Sequence, residues 1–342
     1  MINRHAADIR NLLSKGTMRR WANAWRVTRS YWRSRLLGKA EMSGMPIALA
    51  FEPTTSCNLR CPECPSGLRS FTRPTGMLEQ ERFEAVIDEL AATLWYLTFY
   101  FQGEPYLHPQ FLDMVRYASS RGIYTATSTN AHYLSPEKAR ETVASGLDRL
   151  IISIDGTTQE TYEQYRVGGK LSKVLEGTAN LIAAKKEAKS KTPYVVFQYL
   201  VVRPNEHQLQ EARTLARELG VDDIAFKTAQ IYDYEEGSPL IPTLDRYARY
   251  RERPDGRWEI KNPMLNHCWK MWHSAVLTWD GRVLPCCFDK DGQYSMGQAG
   301  ESASFGSIWQ NESYRQFRQS LLRSRTEIEM CQNCTEGTKV WG

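Results

Sequence analysis

Residues 54–67 read TTSCNLRCPECPSG and set Cys57, Cys61 and Cys64 in a C-x3-C-x2-C run, just after the apolar stretch PIALAFEP at 46–53. Three thiolates are one fewer than a closed tetrahedral zinc site or a fully ligated iron–sulfur cluster requires. Zinc would want a further Cys or His close by, yet the nearest histidine is His108. The run therefore poses a question: what is the missing fourth ligand, and why is its place left open?

Working outward, short β-rich runs alternate with helical patterns from about residue 46 to 231. PIALAFEP, WYLTFYFQG, IYTATSTN, RLIISIDG, YVVFQYLVV and DDIAFKTAQIY read as six strands. The segments between them carry helical spacing, Pro or Ser/Asn starts and Gly stops. Such alternation implies βαβ units and a parallel sheet. Six units are too few for a closed eight-stranded barrel, which leaves a partial barrel or an open sheet. Alternation favours the barrel: Ile151, Ser153 and Asp155 share one face of their strand, and Lys227 lies opposite Ile224 and Phe226. Functional groups of such a barrel gather at the C-terminal ends of its strands.

Composition narrows the class. Apolar content of 42% and charge of 24% suit an ordinary globular chain of 342 residues. No apolar run is long enough to span a bilayer, and the N-terminus has no secretory h-region, so neither a membrane helix nor export is expected. Three cysteines near residue 60 and five after residue 267 read as intracellular metal binding, with a cytoplasmic location expected. Residues 1–45 hold ten Lys/Arg against Asp8 and Glu41, a surplus of eight, so the rest of the chain carries about −3 of the net +5. Nucleic-acid binding through overall charge is not expected.

The C-x3-C-x2-C run after a first strand resembles the radical S-adenosylmethionine (SAM) superfamily. That resemblance implies that Cys57, Cys61 and Cys64 hold three irons of a [4Fe–4S] cluster and that SAM occupies the fourth. It also implies SAM contacts. Gln102, Gly103, Glu104 and Pro105 match the family's GGEP loop, with Gln in place of the first Gly. Ser153, Asp155 and Arg166 match positions near the ribose and carboxylate, and Thr129 and Asn130 follow the third strand. The family usually has an aromatic before the third cysteine, where this chain has Glu63.

Cys268, Cys286, Cys331 and Cys334, with a hairpin turned at Asp280-Gly281, resemble the twitch domain, the short form of the SPASM extension. This implies a second [4Fe–4S] cluster, saturated by four thiolates, with Cys287 left over; alternation along the strand points Cys287 away from Cys286. A structural zinc ribbon is the alternative for these cysteines. The fold expected is thus α/β: a partial (βα)6 TIM-like barrel with a C-terminal twitch domain and an N-terminal helical arm. Its parts are an arm at 1–45, the barrel at 46–233, a connector without sustained period at 234–266 and the auxiliary domain at 267–342. SIWQNESYRQFRQSLLRS reads there as one amphipathic helix.

In the arm, Met18, Trp21, Trp25, Trp32 and Leu36 recur at helical spacing among arginines. The favoured reading docks this stripe on the chain's own domain, capping the open bottom of the barrel; the other lays it on an anionic membrane surface. The arm is too short for a winged-helix peptide-recognition domain.

The function expected is hydrogen abstraction by a 5′-deoxyadenosyl radical from a small polar substrate such as a sugar or cyclitol. The net result is a dehydrogenation with the auxiliary cluster as electron acceptor. Lys227, Gln198 and His267 are the candidates to orient the substrate or take a proton, and flavodoxin or ferredoxin is the expected electron donor. The alternatives are maturation of a ribosomal peptide and modification of a lipid or lipid-linked substrate.

Overall fold

The computed structural model describes residues 2–300 and 303–337. The arm forms α1 (Ile2–Ser14) and α2 (Met18–Leu37), with Thr17 accepting from Arg20 N at the start of α2 and Gly38 in the left-handed conformation at its end. Six parallel strands follow: β1 (Ala48–Phe51), β2 (Tyr96–Thr98), β3 (Tyr124–Thr129), β4 (Arg149–Ser153), β5 (Tyr194–Val201) and β6 (Asp223–Thr228). Between them lie α3 (Pro65–Leu68), α4 (Gln80–Leu90), α5 (Phe111–Ser120), α6 (Pro136–Ala144), α7 (Gln159–Tyr165), α8 (Leu171–Glu187) and α9 (Leu209–Leu219). All six expected strands are present, in sequential order across the sheet. Four of them bury apolar residues in the main core: Leu49 and Phe51 of β1, Leu97 of β2 with Phe99 just past it, Leu150 and Ile152 of β4, and Val195 and Phe197 of β5. The inner face is left with the polar and mixed positions, and the register aligns Ser153 with Gln198 and Leu200 with Lys227.

The segment 234–266 is not structureless. It holds β7 (Tyr250–Glu252) and β8 (Trp258–Ile260), an antiparallel pair turned through Gly256, whose φ is +81°. Then come α10 (Lys270–His273), β9 (Ser274–Leu277), β10 (Arg282–Leu284) and β11 (Gly297–Gln298). The β9–β10 hairpin turns where expected, with Gly281 at φ +89°. It does not stand apart, because β9 pairs parallel with β1 and carries β10 and β11 onto the barrel sheet, giving nine strands in one. The expected single C-terminal helix is two: α11 (Phe305–Trp309) and α12 (Glu312–Arg323). Asn311 separates them by accepting from Tyr314 N, a side-chain cap that starts a helix where one was already running. A last turn, α13 (Glu329–Gln332), carries Cys331.

The arm docks, but with the face opposite to the one its tryptophans suggest. Arg20, Asn23, Val27, Ser30, Tyr31 and Ser34 are buried, whereas Trp21, Trp25, Trp32 and Leu36 are exposed. Polar side chains that match backbone groups outweigh apolar area here. Arg20 donates to the carbonyls of Ala91 and Arg121, Asn23 exchanges two bonds with Met45, and Tyr31 packs on Trp269 and Trp272. The bottom of the barrel is closed by α1 rather than α2. Asp8 pairs with Arg149 and accepts from Tyr124 Oη at 2.5 Å, and Asn11 donates to Asp148 at 2.8 Å.

Candidate functional site

Three loops meet at the top of the first strands. Thr54 and Ser56 bring the chain off β1 into the cysteine run, and Cys64 immediately precedes α3. The loop after β2 is clasped to it: Glu104 N donates to Ser56 O at 2.8 Å and Gly103 N to Ser66 Oγ at 2.9 Å. Gly103 has φ +75°, and a Cβ there would overlap the Thr54 carbonyl oxygen, so only glycine allows this approach. Gln102, where the family has its first Gly, accepts from Ser66 Oγ at 3.4 Å and lies 3.9 Å from Cys64 Sγ.

Glu104 is 2% exposed and gathers the end of β3. It accepts from Thr129 Oγ1 at 2.7 Å and Asn130 N at 2.8 Å, while Asn130 Nδ2 donates to Asn58 Oδ1 in the cysteine run at 2.8 Å. Burial pushes the Glu104 carboxyl up to about 7, against the lowering effect of those bonds. The structure thus unites Gln102, Gly103, Glu104, Pro105, Thr129 and Asn130 around the cysteine loop.

Asp155 and Arg166 meet as well, but as partners of one another. Arg166 Nε donates to Asp155 Oδ2 at 2.5 Å, and Arg166 Nη1 reaches within 3.7 Å of Cys61 Sγ. Burial opposes the Arg166 cation, yet Asp155 and Cys61 outweigh it and hold it well above its ordinary value. Asp155 Oδ1 also accepts from Leu200 N at 2.7 Å. Ser153 is buried beside them on β4. Burial raises the Cys57 thiol to about 11 and raises Cys61 too, so both thiols stay protonated near neutral pH until a cation compensates them.

The C-terminal cysteines surround a second arginine. Arg325 is 1% exposed, donates to Cys334 Sγ at 3.2 Å and is held above its ordinary value by Cys268, Cys334 and Cys331, against burial. Gly337, at φ +81°, leaves room for the Cys268 thiol that a Cβ would fill. Cys286 neighbours Cys268 electrostatically and hydrogen-bonds Cys287. The expectation that Cys287 points away from Cys286 therefore fails, because β10 ends at Leu284 and strand alternation no longer governs residues 286–287. That bond holds Cys286 up and Cys287 down, with Lys270 Nζ 3.9 Å from the Cys287 sulfur.

Among the described residues no three Cys, His, Asp or Glu side chains close on a single metal ion. Iron–sulfur clusters spread their thiolates over separate irons, so wider spacing suits them. Free thiols, burial and one guanidinium beside each set fit a cluster at both places.

Between the two sets opens a cleft of about 360 Å³ lined by Pro65, Tyr232, Glu235, Lys290, Asp291 and Asn333 among others. Lys290 faces both Cys64 and Cys287, stacks 4.7 Å from the Tyr232 ring centroid and has its pKa lowered by burial. Sequence reasoning passed over Lys290, Arg325 and the cleft, since nothing in their spacing marks them. Glu63 accepts from Tyr232 N at 2.9 Å and so fixes one wall of it. Of the candidate substrate residues, Gln198 and Lys227 lie on the inner face of the sheet. His267 does not join them; its ring bonds Tyr31 Oη at 3.1 Å under the arm. Glu52, just past β1, is fully buried in an ion pair with Arg73.

Comparison with known proteins agrees with this geometry. The radical SAM superfamily matches residues 51–216, and SPASM, an iron–sulfur cluster-binding domain, matches 268–335. Mycofactocin maturase MftC of Mycobacterium tuberculosis is 32% identical over 84% of this chain and 75% of its own length. PqqA peptide cyclase of Bradyrhizobium diazoefficiens is 27% identical over 82% and 77%. A Pyrococcus furiosus protein named for modifying the cofactor of tungsten-containing aldehyde ferredoxin oxidoreductase is 26% identical over 84% and 86%. Among solved structures, Streptococcus suis SuiB superposes with TM-score 0.63 at 12% identity, covering 92% of this chain and 77% of that one. BtrN bound to AdoMet and 2-DOIA superposes at 0.55 with 19% identity, covering 87% and 96%.

Proposed function

Because the chain belongs to the radical SAM superfamily and carries the SPASM iron–sulfur domain, we propose that it is a maturase that modifies a peptide at an unactivated C–H bond. It is a SAM-cleaving enzyme with a [4Fe–4S] cluster in its core and further iron–sulfur chemistry in its C-terminal region. One observation carries the peptide reading. The likeness to mycofactocin maturase spans 84% of the chain and 75% of the relative, more than the barrel alone supplies. PqqA peptide cyclase matches over a similar extent.

Cys57, Cys61 and Cys64 would hold the first cluster. When bound, cluster and SAM supply a reductively generated 5′-deoxyadenosyl radical that takes a hydrogen atom from substrate. Glu104 would accept the SAM ammonium, with Thr129 and Asn130 fixing its two oxygens in place. The Asp155–Arg166 pair would set charge beside Cys61 and close one wall of the SAM site, with Ser153 next to it. Cys268, Cys286, Cys331 and Cys334 would hold the auxiliary cluster, with Arg325 donating to a thiolate. Lys290, which lines the cleft, would meet a carboxylate or carbonyl of substrate entering it, and Gln198 and Lys227 on β5 and β6 would meet substrate that reaches the inner face of the sheet. A low-potential donor such as flavodoxin or ferredoxin would supply the electron.

A second reading, oxidation of a small polar metabolite such as a sugar or cyclitol, rests on the cysteine count: four thiolates account for one saturated auxiliary cluster. The two readings part on one experiment. With SAM and reductant under anaerobic conditions, short peptides encoded beside the gene should accelerate 5′-deoxyadenosine release and lose two hydrogens by mass. Acceleration by an aminocyclitol and by no peptide would replace the proposal with the second reading.

A further inference from the structure

We propose that the outward face of α2 is a docking surface for an anionic phospholipid membrane. Met18 is 89% exposed, Trp25 62% and Leu36 82%, and Trp21, Trp32 and Leu37 are each near half. Ile9 and Leu13 of α1 are exposed as well. These α2 positions, spaced by three, four and seven residues, lie on one side of the helix. A contiguous apolar stripe left in water marks an interaction surface.

The exposure is fixed by the fold. The inner side of α2 is pinned by Asn23 against both the N–H and the carbonyl of Met45, and by Ser34 against Glu41 O at 2.9 Å. Rotating the helix to hide the tryptophans would break these bonds and carry inward Arg29, which lies over Trp25.

Charge selects the occupant. Arg19 and Arg26 flank the stripe, exposed and with no acidic partner among the described residues. Arg29 lies over the Trp25 ring at 5.5 Å and Arg35 over Trp32 at 4.8 Å, which holds cations at the level of the indoles. Indole and guanidinium at one depth match the headgroup layer of a bilayer. A second copy meeting this face would oppose two arms that each carry a surplus of eight positive charges, whereas an anionic bilayer complements them. No helix among the described residues is long and apolar enough to cross a membrane, so α2 would lie along the surface. Its 20 residues offer roughly 30 Å of contact. The inference does not depend on which substrate the enzyme takes.

The full-length protein should float with vesicles of phosphatidylcholine and phosphatidylglycerol, and bind vesicles of phosphatidylcholine alone about tenfold less or weaker. High salt should reduce the anionic binding. The Trp25→Ser/Leu36→Ser double variant, altered only at exposed positions, should keep the parent's melting temperature and lose about tenfold in binding to anionic vesicles. Failure of the parent to float would overturn the proposal, as would equal binding by the variant. Light scattering that finds a dimer which the double variant dissociates would assign the face to a second copy instead.

Discussion

Arg325 Nη2 donates to Cys334 Sγ at 3.2 Å from a side chain that is 1% exposed. A buried cation on a thiolate stabilises the more negative state of whatever that thiolate ligates. Arg325→Gln removes the charge and should lower the auxiliary cluster's potential by on the order of 60 mV, a tenfold change for a one-electron couple. Potentiometric titration followed by electron paramagnetic resonance would read this directly. An unchanged potential with full iron content would show that Arg325 only fills space.

Glu104 carries a pH signature. Its carboxyl titrates near 7 when folded and near 4.5 as a free group, so between those values the folded chain holds the extra proton. Stability from this group is complete below about pH 4.5 and is lost as pH rises through 7, by about 3 kcal/mol. Glu104→Gln, neutral at every pH, should flatten that part of the urea-denaturation profile. A SAM ammonium needs the ionised form, so SAM affinity of the parent should rise through pH 7. The variant should bind more weakly by roughly 1.5–3 kcal/mol, without that rise. Equal SAM affinity in parent and variant would remove Glu104 from the site.

Gly103→Ala forces a side chain into a φ of +75° and against the Thr54 carbonyl. The conformation alone costs about 1–3 kcal/mol. The loop that carries Glu104 should then lift from the cysteine run, weakening SAM binding more than it lowers the melting temperature. A variant with normal SAM affinity would show that the clasp is not needed.

Adjacent Cys286 and Cys287 offer a discrimination that the sequence could not make. Cys286→Ala should lose the auxiliary cluster and about half of the iron, whereas Cys287→Ala should keep both. Iron analysis with Mössbauer spectroscopy decides it, and the reverse outcome would make Cys287 the ligand.

The barrel was legible because its strands bury one face against helices and repeat the pattern six times, as in Leu150, Ile152 and Ile154. The cysteine runs were legible because ligand spacing is local. Side-chain hydrogen bonds to distant backbone were not. Asn23 on Met45 turned α2 over, Asp8 on Arg149 and Tyr124 made α1 the plug, and Asn311 cut one amphipathic pattern into two helices. The β7–β8 hairpin was hidden by charged side chains, although Asp255-Gly256 marks its turn. His267 was a candidate site residue, but Tyr31 of the docked arm takes its ring, a pairing across 236 residues that no local pattern marks. Lys290 needed the chain to close before it stood between the two cysteine groups.

Transfer of hydrogen from substrate tests the central claim most directly. Deuterated peptides encoded beside the gene would be incubated anaerobically with the reconstituted enzyme, SAM and reductant, and the released 5′-deoxyadenosine analysed by mass. The account predicts one deuterium in the product with the parent protein and no product with Cys61→Ala. Unlabelled 5′-deoxyadenosine from every peptide, with label arriving from a deuterated cyclitol instead, would contradict it.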